Sequence, residues 1–137
     1  MDLTKAFPRS PRMKMGGLVM LPRMIDKARA FNSNTLGEYI FPCPLDKIIL
    51  EFMNINQEEI IQLLRKLNDK ELSLWVNNRC LNFSLRDKEK INQKILKKRP
   101  DNQESLSRFN ELRNKIDRNR TEIVTWVDLL DLDENRI

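Results

Sequence analysis

The chain has 137 residues, a formal net charge of +5, and 40% hydrophobic and 33% charged residues, so we expect one globular domain over residues 1–137. The absence of histidine excludes Ser-His and Cys-His nucleophiles and histidine-ligated zinc, and two cysteines are too few for a four-cysteine zinc site. Three glycines and six prolines supply too few turns for an all-β fold, and without a G-x-G-x-x-G or G-x-x-x-x-G-K-[ST] motif the sequence predicts no cofactor.

Because prolines interrupt residues 1–15, this N-terminal segment is predicted to be irregular. Ser10-Pro11 is typical of the start of a short helical turn, which Gly16-Gly17 is expected to end. From residue 21 onward, apolar residues recur at helical spacing behind N-capping residues. The predicted helices cover 21–32 and 44–53, run from Asn56 to about Leu67, start at Asp69, Ser84 and Asp101, and finish with a short helix from Thr121 or Thr125. The predicted fold class is all-α, a single compact domain of about six to seven short helices.

The first predicted helix carries Arg23, Asp26, Lys27 and Arg29 within about two turns. Asp26 lies three residues from each arginine, so ion pairs along the helix are available. One interpretation is a solvated outer face, on which each ion pair contributes about 0.3 kcal/mol. The other is an inward-facing wall that binds an anion, with Asp26 orienting an arginine fork.

The apolar stripe of this helix is too narrow to pack alone, so we expect the loop at 33–42 to fold back beside it. An enclosed carboxylate is tolerated only when it is paired and hydrogen-bonded. We therefore predict that Asp26 is substantially buried and pairs with Arg23, Arg29 or a backbone donor.

Cys43 precedes the helix predicted at 44–53, and the dipole of a helix N-terminus lowers the pKa of a nearby thiol. That position makes Cys43 a candidate reactive thiol. Asp46, in the first turn, competes for the same positive potential and raises the thiol pKa again, and no histidine is present to act as a base. The alternative is a small buried side chain in a turn. Cys80 lies on an apolar helix face and is predicted to be core.

The C-terminal segment holds a cluster of carboxylates: Asp128, Asp131, Asp133 and Glu134. Clustered carboxylates bind hard cations in some proteins, but this spacing lacks the glycine and the distal glutamate of an EF-hand loop. We predict no metal site. A solvated tail, or a partner for the protein's own basic residues, is the expected role.

Five blocks of sequence follow one another at spacings that match a known pattern: "GGLVMLPRMIDKARA", "LGEY", "ELSLWVNNR", "INQKILKKR" and "RTEIVTWVDLLDLDENR". Together they resemble a family of small bacterial proteins, domain of unknown function 5069, over nearly the whole chain. Members often have a glycine where this chain has Asn135. The resemblance implies no activity, substrate or cofactor. It implies that the polar residues of the first and last blocks have specific partners, so the two blocks are expected to meet in the fold.

The leading functional hypothesis is a binding or protein-interaction module in the bacterial cytoplasm, because no catalytic constellation is present. Its expected contact surface is the first helix with the loop through Glu38 and Tyr39, facing a protein partner or a second copy of the chain. The alternative is an enzyme or binder of a small anionic metabolite. Both hypotheses use the same candidate residues: Arg23, Asp26, Lys27, Arg29, Glu38 and Tyr39.

A third hypothesis, nucleic-acid binding, comes from residues 84–120, which carry twelve basic and six acidic side chains. The charges alternate in sign, as in "RDKEK", and a one-signed stripe with aromatic platforms is missing. A solvated face is therefore favoured over a nucleic-acid partner. A membrane partner is not expected either, because no stretch approaches the roughly 18 apolar residues that a span requires.

Overall fold

Seven α-helices and one two-stranded hairpin make up the structure, a computed structural model that describes residues 1–137. The architecture is mostly α-helical, which confirms the predicted fold class. The hairpin consists of β1 (Lys14–Met15) and β2 (Leu18–Val19). The helices are α1 (Leu21–Asn32), α2 (Pro44–Met53), α3 (Gln57–Lys66), α4 (Asp69–Arg79), α5 (Leu85–Leu96), α6 (Gln103–Ile116) and α7 (Trp126–Asp133). None of them has the length and apolarity required to cross a bilayer.

Helix starts follow the capping residues of the sequence. Prolines in the first turn preset the helical φ of α1 and α2, whose bounds match the prediction. Four later helices begin where an N-cap side chain accepts the backbone N–H three positions on: Asn56, Asn68, Ser84 and Thr125. The start of α6 is shifted by one residue from the prediction, because Asn102 rather than Asp101 accepts the Ser105 N–H, at 2.8 Å.

Gly16 and Gly17 form the turn of the hairpin rather than the end of a helical turn, so that prediction was wrong. Their φ angles are +59° and +81°, and a two-residue hairpin turn with positive φ at both positions favours glycine. The strands pair antiparallel, with Lys14 opposite Val19. The hairpin lies against α4 and α5, since a Cβ on Gly16 would come within 2.6 Å of the Val76 side chain.

The main core forms around α1, which buries nine of its twelve residues. Leu21, Met24, Ile25 and Ala28 are fully buried there and pack with side chains from the hairpin and from α2 to α5 and α7. A second, smaller core joins α6 to α7 through Phe109, Ile123, Leu129 and Leu132. The central position of α1 means that its polar residues must find partners inside the protein.

Candidate functional site

The charged residues of α1 point inward. Arg23, Asp26 and Lys27 are 1%, 3% and 3% exposed, and Arg29 is half-buried. A solvated outer face is therefore the wrong interpretation of these charges. Three groups of contacts enclose them, and each group links α1 to a different part of the chain.

Arg23 forms a bidentate ion pair with Glu134, just after α7. Its Nη1 and Nη2 donate to the two carboxylate oxygens at 2.8 and 2.7 Å. The Tyr39 hydroxyl donates to the same carboxylate at 3.2 Å, and the Arg23 guanidinium lies 5.5 Å from the centre of the Tyr39 ring. Arg136 Nη1 adds a further bond to Glu134 at 2.6 Å. The basic block of α1 and the acidic C-terminal block therefore meet, as the family resemblance implied.

Burial and charge act against each other at this cluster. Burial tends to raise the pKa of Glu134, but the hydrogen bonds and charges of Arg23 and Arg136 outweigh it and hold that pKa below its usual value. Burial, together with the neighbouring Glu134 carboxylate, raises the pKa of Tyr39 to about 12. At neutral pH the cluster thus holds an ionised carboxylate and a neutral phenol.

Lys27, one turn after Arg23, contacts the N-terminus of α2. Its Nζ lies 2.7 Å from Asp46 Oδ2, 3.1 Å from the Ile40 carbonyl oxygen and 3.3 Å from Cys43 Sγ. Asp46 is fully buried and also accepts the Cys43 backbone N–H at 2.9 Å. Burial and the Asp46 carboxylate raise the pKa of the Cys43 thiol, against the opposing charge of Lys27. The helix N-terminus therefore does not produce an acidic thiol, and Asp46 acts in the direction the sequence predicted.

Asp26 is buried as predicted, but the arginine that binds it is Arg9, not Arg23 or Arg29. It accepts the Arg9 backbone N–H at 2.9 Å, which is a backbone donor as expected, and two bonds from the guanidinium at 3.1 Å each. Asp69, at the start of α4, accepts from Arg9 at 2.9 Å and from Arg29 at 2.6 Å. The irregular N-terminal segment is thereby fixed to α1 and α4.

The C-terminal carboxylates are partners of the protein's own basic residues. Asp131 accepts the Ser10 hydroxyl at 2.9 Å, Arg12 at 3.0 Å and Arg136 at 3.2 Å. Asp128 pairs with Arg12, and Asp133 is exposed. No group of three or more Asp, Glu or Cys side chains is arranged to hold a metal ion.

Of the candidate residues, Arg23 and Tyr39 meet at Glu134, and Lys27 and Cys43 meet beside Asp46. Asp26 and Arg29 join the separate cluster around Arg9 and Asp69, and the exposed Glu38 forms no ion pair. Each buried cation faces a buried carboxylate, so this interior carries no surplus positive charge for an anion. The sequence did not reveal the partners Arg9, Ser10 and Arg12, because they lie 17, 121 and 119 residues from the carboxylates they bind, and it did not single out Arg136.

Three exposed large apolar side chains lie close together in the sequence, outside these clusters, where the chain passes from α4 to α5. Leu81, Phe83 and Leu85 are 75%, 39% and 84% exposed, and we refer to these three residues as the α4–α5 corner. Phe83 is held by the ring of Phe52, with the ring centroids 4.3 Å apart. The sequence carried a signal for this surface, since "LNFSL" places three apolar residues at alternate positions across the predicted interhelical turn and the start of the next predicted helix.

A basic stripe continues from the α4–α5 corner along α5. Arg86, Lys90 and Lys94 are exposed, follow one another at four-residue spacing and have no ion-pair partner. We call these three residues the α5 stripe. Another surface groove, of about 500 Å³, lies between α3 and α4, and Trp75 and Leu63 are its two apolar lining residues.

Comparison with protein families identifies the family of this chain. The family model described as a domain of unknown function (DUF5069) matches residues 5–136. No curated protein matches the chain.

Proposed function

We propose that this chain, which belongs to the DUF5069 family, is a protein-interaction module whose contact surface is the α4–α5 corner. The observation that carries the proposal is the exposure of Leu81, Phe83 and Leu85 within five residues of sequence. Exposed clusters of large apolar side chains, flanked by polar groups, are typical of sites that bind other proteins. Both cysteines are free thiols, which fits the reducing cytoplasm of a bacterium.

The corner supports binding better than the surface of α1 does. Phe31, at 44% exposure, is the only exposed residue of α1, so this helix offers little apolar surface to a partner. Arg23 and Lys27 are engaged with Glu134 and Asp46, so neither is free to recruit an anionic metabolite. We infer that the α1 charges hold the fold together and leave partner binding to the surface of α4 and α5.

The partner we infer is an acidic amphipathic segment of another protein. Its apolar side chains would cover the α4–α5 corner, and its carboxylates would face Arg86, Lys90 and Lys94. Complementary charge accelerates association and sets the register of such a contact. The apolar corner favours a protein segment over a nucleic acid, because phosphate groups make no favourable contact with exposed leucines.

Quantitative affinity capture from a bacterial lysate, followed by mass spectrometry, tests this proposal. The corner variant Leu81→Ser/Leu85→Ser and the stripe variant Arg86→Glu/Lys90→Glu are each expected to lose the same protein partner by about tenfold or more, since two lost anchor contacts are worth at least 1.4 kcal/mol. The matched controls are Ile40→Ser, at a site 68% exposed, and Lys115→Glu/Arg118→Glu on another part of the surface. Both controls should retain the partner.

Three results would overturn the proposal. One is equal capture by the wild type and the corner variant. Another is capture that disappears after nuclease treatment, which would indicate a nucleic acid bound by residues 84–120. The third is concentration-dependent self-association in sedimentation measurements that the corner variant abolishes, because the occupant would then be a second copy of this chain.

A further inference from the structure

The contact between Lys27 and Cys43 is a nitrogen–sulfur pair inside the protein. Lys27 Nζ lies 3.3 Å from Cys43 Sγ, within reach of bond formation after a small movement of either side chain. We propose that this pair is an oxidative modification site, at which a peroxide joins Lys27 and Cys43 through a covalent nitrogen–sulfur bond. The inference is independent of the proposed interaction surface.

The surroundings of the pair favour the Lys27 amine as the group that reacts with an oxidised Cys43 sulfur. Lys27 is 3% exposed and the Cys43 side chain is only partly exposed, so a small oxidant can reach the sulfur while bulk thiols have limited access. The sulfur has one nitrogen nucleophile in hydrogen-bonding contact, and that nitrogen belongs to Lys27. Cys80 is buried at the end of α4 and forms no disulfide with Cys43.

Asp46 is placed to take the proton that the lysine must lose before it reacts. Its Oδ2 lies 2.7 Å from Lys27 Nζ, and its Oδ1 is buried without a hydrogen-bond partner. In a buried pair, transfer of the proton from ammonium to carboxylate removes two charges from a region of low dielectric. The neutral amine that results carries the lone pair needed for attack on sulfur.

The chemistry balances in two steps. The Cys43 sulfur attacks hydrogen peroxide, an S–O bond forms as the O–O bond breaks, and one water leaves, so the thiol is oxidised to a sulfenic acid. The Lys27 amine then attacks that sulfur, an N–S bond forms as the S–O bond breaks, and the oxygen leaves as a second water with a proton from nitrogen. Overall, one thiol, one amine and one peroxide give a sulfenamide and two waters, and an added thiol reverses the bond by reduction.

The bond would join α1 to the N-terminus of α2 and close a loop across residues 27–43. A covalent closure of this kind restricts the unfolded chain, as a disulfide does. The raised pKa of the Cys43 thiol makes the first step slow, so sustained exposure to peroxide is required. The modified protein is expected to unfold at a higher temperature than the reduced protein.

Peptide mapping of the full-length wild-type protein after treatment with hydrogen peroxide tests the proposal. We expect the intact mass to fall by about 2 Da, for two lost hydrogens, and to recover with dithiothreitol. Trypsin should fail to cut after Lys27, and the peptide that contains it should be joined to the one that contains Cys43. Cys80 should still be alkylated after denaturation, whereas Cys43 should not.

Variants separate this bond from other products. Cys43→Ser and Lys27→Arg should both lose the mass change, and Cys80→Ser should retain it. A Cys43–Cys80 disulfide has the same mass change but joins different peptides, so finding it would overturn the proposal. Conversion of Cys43 to sulfinic acid without a joined peptide would overturn it as well, and neither result depends on whether a variant folds.

Discussion

At the scale of single residues, the buried charges of this protein come in partnered sets. Removing an ion from water costs several kcal/mol, and only a close partner with good hydrogen bonds offsets that cost. Arg23 and Glu134 meet this condition with two parallel bonds between side chains that are each about 1% exposed. The sequence indicated which α1 residues need partners, but Glu134 lies 111 residues away, and local spacing carries no information about such a pairing.

The titration of Tyr39 reports on this cluster, because it is the chain's single tyrosine. Burial and Glu134 raise its pKa to about 12, above the value of about 10 expected in the unfolded chain. The stability that the neutral phenol contributes is therefore complete below about pH 10 and is lost as the pH rises through about 12. Ultraviolet absorbance should show tyrosinate forming near pH 12 in the wild type and at lower pH in Glu134→Gln. A wild-type midpoint near pH 10 in the folded protein would contradict the described cluster.

At the scale of elements, helices were predictable and the hairpin was not. Proline in the first turn, N-capping side chains and apolar spacing all act over a few residues, so the bounds of α1 and α2 follow directly from the sequence. Strands of two residues are too short to show an alternating pattern. The paired glycines indicated a chain reversal, but whether they end a helical turn or form a hairpin depends on the packing of α4 and α5 against them.

The two turn glycines differ in what surrounds them, which gives a matched comparison. Gly16→Ala should lower the free energy of unfolding by about 3 kcal/mol, because a left-handed φ is strained for alanine and the new Cβ would overlap Val76. Gly17→Ala has the same backbone strain but meets only the flexible end of Lys88, at 3.3 Å, so about 1 kcal/mol is expected. Urea denaturation of both variants measures the difference. Equal losses would mean that α4 does not press against the hairpin.

At the scale of the whole molecule, the two ends of the chain neutralise each other. Arg12 pairs with Asp131 and Arg23 with Glu134, so the acidic C-terminus is balanced by the N-terminal half. Residues 84–120 keep a positive surplus, and three of their cations, Arg86, Lys90 and Lys94, form no ion pair and face solvent along α5. Charge composition alone could not distinguish charges that are paired inside the fold from charges that face solvent, because it does not show which segments meet.

Acid should destabilise the protein through the same carboxylates. The pKa values of Glu134 and Asp69 are lowered in the folded state, the first by Arg23 and Arg136 and the second by Arg29 and Arg9, in each case against the opposing effect of burial. Their contribution to stability is complete above the unfolded pKa values of about 4.3 and 3.9 and is lost as the pH falls through the lower folded values. Urea denaturation over a pH series should show stability falling below about pH 4. A weaker fall is expected in Glu134→Gln, and an unchanged slope would exclude Glu134 as a source of this pH dependence.

The most direct test of the central claim, that the α1 charges hold the fold together, compares Glu134→Gln with Glu38→Gln by chemical denaturation. Both variants remove one carboxylate charge, but Glu134 is 3% exposed and paired with Arg23, whereas Glu38 is exposed and unpaired. We expect Glu134→Gln to lower the free energy of unfolding by about 3 kcal/mol, because it leaves a buried guanidinium without its counter-ion, and Glu38→Gln to change it by less than about 0.5 kcal/mol. Equal effects, or a more stable Glu134→Gln variant, would contradict the claim and indicate that these charges serve a ligand instead.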